Sequence, residues 1–192
     1  MESVREPRSR SVEMLCKGKR YAFSKVYIDF GDRSIVRDLL LHPGAVVIIP
    51  LLNREEIIML RQYRPGPSKW IIELPAGTLE GGETPIDTAR RELLEETGYR
   101  AGAMRELFRM YSSPGVSTEI LYVFLAEDLS YEGSSHQEDE MIEVIRIELG
   151  KAIEMIRRGE IEDSKTIASL LYYVVFVREG AGDLGTRTSG TP

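Results

Sequence analysis

Residues 77–99 read G-T-L-E-G-G-E-T-P-I-D-T-A-R-R-E-L-L-E-E-T-G-Y, a glycine-rich loop that passes into a short helix. Six acids (Glu80, Glu83, Asp87, Glu92, Glu95, Glu96) stand against two bases (Arg90, Arg91), a net −4 in a chain whose total is −6. Crowded carboxylates destabilise a helix unless something compensates them. A hard divalent cation does so, because such ions prefer carboxylate and carbonyl oxygen. The helix has clear ends: Thr84 as N-cap, Pro85 in the first turn, Asp87 in a capping-box position, and Gly98 as terminator. Ile86, Ala89 and Leu93 recur at helical spacing and predict the buried stripe. Arg91, Glu92, Glu95 and Glu96 fall on the other side. Glu92 and Glu96, four residues apart, project side by side. That spacing suits a shared metal ion.

Outward from this stretch the pattern is of strands. Residues 12–30 predict two strands joined at Lys17-Gly18-Lys19, and Ser34–Leu41 a third. Such a meander is too small to hide both its faces and needs a partner surface. The apolar run 44–52 predicts a strand buried on both sides, with residues 56–63 as its antiparallel partner and 70–74 as a short strand stopped by Pro75-Ala76-Gly77. Further strands are expected at 104–111, 120–126 and 142–149, with an acidic loop over 127–140. Helices are expected at 151–158 and 164–178, the second with a stripe of Ile167, Leu170, Leu171, Val174 and Val175. The organisation expected is a disordered N-terminus (1–11), a β-meander (12–42) that packs on the main domain or on another subunit, a main domain (43–179) and a disordered tail (180–192). Mixed strands with helices packed on them indicate an α/β sandwich.

The net charge of −6 argues against nucleic acid as the main partner, since phosphate backbones are held by basic faces. One cysteine, Cys16, excludes an intrachain disulfide and a cysteine-based zinc site. The N-terminus has no apolar core of a secretory signal, and no run nears the roughly 20 apolar residues of a membrane span. A cytoplasmic protein without membrane partners is expected.

Gly77, Glu83, Arg91, Glu92, Leu93, Glu95, Glu96 and Gly98 fall at the fixed spacing of the Nudix hydrolase signature, which the stretch closely resembles. Tyr99, where an aliphatic residue is usual, is the one departure and touches packing rather than chemistry. H-P-G-A-V at 42–46, R-Q-Y-R at 61–64, E-L-P-A-G at 73–77 and S-P-G-V-S-T-E at 113–119 look like the ADP-ribose pyrophosphatase branch. A proline about sixteen residues beyond the signature marks that branch, and Pro114 stands sixteen beyond Gly98.

The resemblance implies a Nudix α/β/α sandwich with a mixed sheet, and a homodimer that exchanges its N-terminal strands. It implies Mg²⁺-dependent hydrolysis of the pyrophosphate bond of ADP-ribose to AMP and ribose 5-phosphate, with two or more ions and Mn²⁺ as a substitute. Glu92, Glu96 and the Ala76 carbonyl would hold metal, with Glu95 a further ligand and Glu83 an outer partner. Arg91 would orient these carboxylates. Glu138 would be the base and Glu140 a metal-side carboxylate, the reverse being the alternative; His136 reads as exposed. Arg37 and Arg64 would face the diphosphate or adenosine, and Glu80 and Glu119 the terminal ribose. Trp70 or an N-terminal aromatic would stack on adenine, although a strand tryptophan is more often core. Cys16 and His42 read as structural. Other readings are a Nudix hydrolase of another nucleoside diphosphate derivative (another ADP-sugar, GDP-mannose, an oxidised nucleotide) and, more remotely, a non-catalytic nucleotide sensor. A purely structural dimerisation module leaves the acidic stripe unexplained.

Overall fold

The computed structural model describes residues 6–133 and 141–178. Its strands are β1 (Ser9–Lys17), β2 (Ala22–Asp29), β3 (Ser34–Leu41), β4 (Ala45–Pro50), β5 (Glu56–Arg64), β6 (Lys69–Glu73), β7 (Ala76–Thr78), β8 (Tyr99–Tyr111), β9 (Ile120–Tyr131) and β10 (Ile142–Glu148). The helices are α1 (Pro85–Thr97), α2 (Leu149–Arg157) and α3 (Ser164–Tyr172), the last continued by a π-helical turn over Tyr173–Arg178. The strands form three sheets, ordered β1-β2-β3, β10-β5-β6 and β7-β4-β9-β8. The third is mixed, because β4 runs parallel to β9 and antiparallel to β7.

β4 is buried along its whole length, and its alternation divides the core in two. Val46 and Ile48 face α1, packing with Ala89, Leu93, Ala101 and Phe124. Val47 and Ile49 face the other way, into a cluster with Ile57, Met59, Val123, Leu125, Leu149 and Leu170. Each such fully buried aliphatic contributes about 1.5–3 kcal/mol. The mixed sheet thus lies between α1 on one side and β5, α2 and α3 on the other, the α/β/α sandwich expected. Among the described residues no helix is long and apolar enough to cross a membrane.

The ends of α1 follow their sequence signals. Thr84 accepts from Asp87 N at 3.3 Å, and Gly98 N–H donates to Leu94 O at 2.8 Å. The buried stripe is displaced, however: Ile86 in the first turn is exposed, while Glu96 and Thr97 in the last turn are buried. Tyr99 is buried where β8 starts, and its hydroxyl accepts from Arg146 Nη2.

Several strand expectations are corrected. β5 does not pair with β4 beyond one isolated bridge, Leu51 to Ile57. A strand cannot pair edge to edge with β4 and also pack face to face against it, and the buried side chains of β5 do the latter. The strand expected at 70–74 does stop before Pro75, at Glu73, but a further short strand not expected, β7, follows at once and hydrogen-bonds to β4. β8 starts at Tyr99 rather than 104, and β9 runs on to Tyr131, so residues 127–131 are strand and not loop. Long antiparallel pairing satisfies their backbone groups. β1 begins at Ser9, inside the stretch expected to be disordered, because β2 offers it an antiparallel ladder from Asp29 onward, interrupted only by a register shift between Met14 and Cys16. Leu171 and Val175 of the expected helical stripe are exposed.

The β1-β2-β3 sheet stands apart in character. β1 is exposed at every position, and Val12, Met14, Leu15, Tyr27 and Val36 present apolar surface. Cys16 is exposed here too, so it has no core role.

Candidate active site

A cleft of about 450 Å³ opens where the N-terminal ends of β4 and β7 meet α1 and α3. It is lined by Glu80, Arg91, Glu92, Glu95 and Glu96 from the acidic stretch, and by Ala76, Arg64 and Glu119 from outside it. Eight residues assigned to metal, catalysis or substrate thus share one concavity. Arg37 does not line it. On β3 its Nη1 donates to the Val36 carbonyl at 2.8 Å, and the N-terminal sheet holds it away from its own chain's cleft. Trp70 also lies outside the lining and is exposed, edge-on to Tyr63 and beneath Arg61, so it is neither core nor a wall of this cleft. Glu138, Glu140 and His136 lie outside the described residues.

Arg91 organises the carboxylates. Its Nε and Nη2 donate to Glu83 at 2.9 and 3.0 Å, and Nη1 donates to Glu92 at 2.8 Å and Glu95 at 2.9 Å. The paired guanidinium holds the Glu83 carboxyl down at about 2, with Thr88 adding a hydrogen bond of 2.9 Å. That group's contribution to stability is present above the ordinary carboxylate pKa and is lost as pH falls toward about 2.

Glu96 behaves in the opposite way. It is only 7% exposed, and burial raises its carboxyl to about 8, with Glu92 and Glu73 adding to the rise. The Ala76 N–H at 2.9 Å and Arg64 oppose it. A proton on Glu96 here does what a cation would do. Gly77 explains how the second carboxylate comes so close: a Cβ on Gly77 would lie 1.8 Å from Glu92 Cδ. Among the described residues no three ligating side chains form a finished metal cluster. Arg91 holds three of the acids, but the donor set of clustered carboxylates beside a strand backbone fits a hard, oxygen-seeking ion. A divalent cation binding at Glu96 would have to displace its proton, so its affinity should rise with pH up to about 8, with proton release on binding. Titration calorimetry in buffers of different ionisation enthalpy measures this; no proton release would refute it.

Behind the cleft wall lies a buried acid that sequence reasoning did not assign, Glu73, which holds the lining residues Arg64 and Lys165. Glu73 is 1% exposed and accepts from Arg64 Nε at 2.7 Å and from Lys165 Nζ. Lys165 also pairs with Asp163 at 2.9 Å. A lysine in the first turn of a helix opposes the helix dipole, and that was the available signal that carboxylates must compensate it. Removing Glu73 leaves two cations without their buried partner. Glu73→Ala should therefore cost about 3–5 kcal/mol in urea unfolding, whereas a loss below about 1 kcal/mol would class the pair with exposed ones. Tyr21 and His42 line the cleft too.

An α/β/α sandwich presenting a capped helix of paired carboxylates to a polar cleft is an arrangement suited to cation-assisted hydrolysis. The NUDIX domain model matches residues 41–170, and the chain belongs to the Nudix hydrolase family. It is 38% identical over 173 residues to the ADP-ribose pyrophosphatase of Bacillus subtilis (strain 168), covering 85% of this chain and 94% of that protein. It is 41% identical over 138 residues to the methanol dehydrogenase activator of Bacillus methanolicus, covering 71% and 75%. It is 36% identical over 138 residues to the GDP-mannose pyrophosphatase of Shigella flexneri serotype 5b (strain 8401), covering 67% and 72%. The crystal structure of an ADP compounds hydrolase superposes with a TM-score of 0.81 over 95% of this chain and 99% of that one. At 21% identity that likeness speaks for the fold.

Proposed function

We propose that the chain hydrolyses the pyrophosphate bond of ADP-ribose, giving AMP and ribose 5-phosphate. The observation that carries this reading is one cleft holding both a buried, cation-seeking carboxyl, Glu96 beside Glu92, and a substrate wall of Arg64, Glu80 and Glu119. The likeness to the Bacillus subtilis enzyme over 94% of its length supports the choice of substrate.

Glu92, Glu96 and the Ala76 carbonyl would hold Mg²⁺, with Glu95 as a further ligand and Mn²⁺ as a substitute. When bound, such ions neutralise phosphoryl oxygens and lower the pKa of water, two of them sharing the task in many hydrolases. Arg91 keeps the carboxylates oriented. Arg64 is anchored through Nε by Glu73, while its Nη groups have no hydrogen-bond partner among the described residues. A fork held in this way suits a diphosphate oxygen pair. Glu138 supplies the base and Glu140 a further carboxylate in this reading. A substrate panel with Mg²⁺ tests the proposal: ADP-ribose should show the highest kcat/KM, and a clear preference for GDP-mannose or an oxidised nucleotide would overturn it.

The N-terminal meander (12–42) serves in this reading to join two copies, and residues 43–179 form the catalytic domain. The exposed apolar faces of β1–β3 support a homodimer with exchanged strands, since a lone three-stranded sheet rarely leaves so much apolar surface in water. Exchange would also carry Arg37 toward the partner's cleft. A chain lacking residues 1–30 should be monomeric by light scattering and bind ADP-ribose more weakly; an active dimer without those residues would dismiss the exchange.

A further inference from the structure

We infer that His42 is a positioning residue: it fixes Glu119 as a hydrogen-bond acceptor for the terminal ribose hydroxyls. The inference rests on the ADP-ribose reading for its ligand, but its geometry is independent of that reading.

His42 follows β3, and its backbone is locked to the loop that carries Glu119. His42 N donates to Thr118 Oγ1 at 2.9 Å, and that hydroxyl returns a bond to His42 O at 3.2 Å. Leu40 N donates to Val116 O at 2.8 Å and Thr118 N to Leu40 O at 3.0 Å. The two segments therefore move as one piece. The ring itself is held from two sides. Tyr21 stacks on its face, with centroids 4.9 Å apart. Gly44 N–H donates to Nδ1 at 3.0 Å, an approach made with a φ of +106° that side-chain-bearing residues rarely adopt.

A nitrogen that accepts from a backbone N–H carries no proton. The neutral ring must then carry its hydrogen on Nε2, and Nε2 lies 3.3 Å from Glu119 Oε1. The imidazole side chain is 6% exposed and the carboxylate 23%, so the contact forms the sealed rear of the cleft wall with the acid facing inward. Burial lowers the pKa of His42, with Glu119 opposing, and this favours the neutral ring. One Glu119 oxygen thus has the imidazole Nε2 behind it at 3.3 Å, and the carboxylate remains an acceptor toward the cleft. A hydroxyl pair satisfies such an acceptor; a second carboxylate or phosphate would be repelled.

His42→Phe keeps the stack with Tyr21 and removes both nitrogens. With Mg²⁺ and ADP-ribose its KM should rise about tenfold, while kcat changes by less than about threefold. The inhibition constant of ADP, which lacks the terminal ribose, should stay unchanged. Adding His42→Phe to Glu119→Gln should give no further loss. Equal weakening of ADP and ADP-ribose, or additive losses in the double variant, would overturn the assignment. The ¹⁵N shifts of the wild-type imidazole give a readout independent of turnover and of how the variants fold. They should show an unprotonated Nδ1 and a protonated Nε2, the latter moving in Glu119→Gln; an Nδ1–H tautomer would overturn the inference. A wild-type protein inactive on ADP-ribose would instead sink the functional reading, and the tautomer would then decide this one alone.

Discussion

Glu96→Gln should lower kcat roughly a thousandfold, about 4 kcal/mol of barrier, while leaving the fold intact. The substitution keeps the volume of a side chain that is nearly sealed from solvent. Burial raises the carboxyl to about 8, so at neutral pH the metal-free wild type holds it protonated and the amide replaces a neutral group. The metal-free variant should therefore match the wild type in Tm near pH 7 and exceed it above about pH 8, where the wild type must carry a buried charge. Stability and activity should move apart, and that divergence identifies a group kept for chemistry. Calorimetric Tm with and without Mg²⁺, measured beside turnover, checks both halves: the wild type should gain stability from Mg²⁺ and the variant should gain little. Near-normal turnover would remove Glu96 from the metal site.

Gly77→Ala should cost about a hundredfold in kcat/KM by displacing a neighbour. The added Cβ would sit 1.8 Å from Glu92 Cδ and 2.0 Å from Glu92 Oε1, well inside the ordinary contact of about 3.5–4.0 Å. The strand can keep its place because the clash falls on the end of a flexible side chain, so the Glu92 carboxylate yields. It would leave both Arg91 and the position beside Glu96. Mg²⁺ affinity should fall together with turnover while Tm changes by only a few degrees, as thermal denaturation and calorimetry would show. A large loss of Tm with normal metal binding would place the strain in β7 instead.

These two positions also mark how far the sequence could be read. The spacing of Glu92 and Glu96 along a capped helix is a local property, and the helix forms as its Thr84 and Gly98 signals require. What spacing could not reveal is that Glu96 is buried and Glu92 held by Arg91, since this depends on which strand backbone covers the last turn of α1. The pairing of β5 was misjudged for a similar reason. Adjacency in sequence suggests a hairpin, but β4 must cover two faces at once, and only the assembled layers show that β9 takes the edge and β5 the face.

By itself the sequence determined the helix that bears the carboxylates, the strand buried on both sides, and the sparse cationic and acidic positions around them. Those follow from periodicity, capping and charge, which act over a few residues. Tertiary structure alone decided which of these groups meet. It drew Glu73 between Arg64 and Lys165, set His42 against Glu119, and left Arg37 outside the cleft of its own chain. Such contacts join residues up to about a hundred positions apart, and their energies depend on burial and on the partner's orientation.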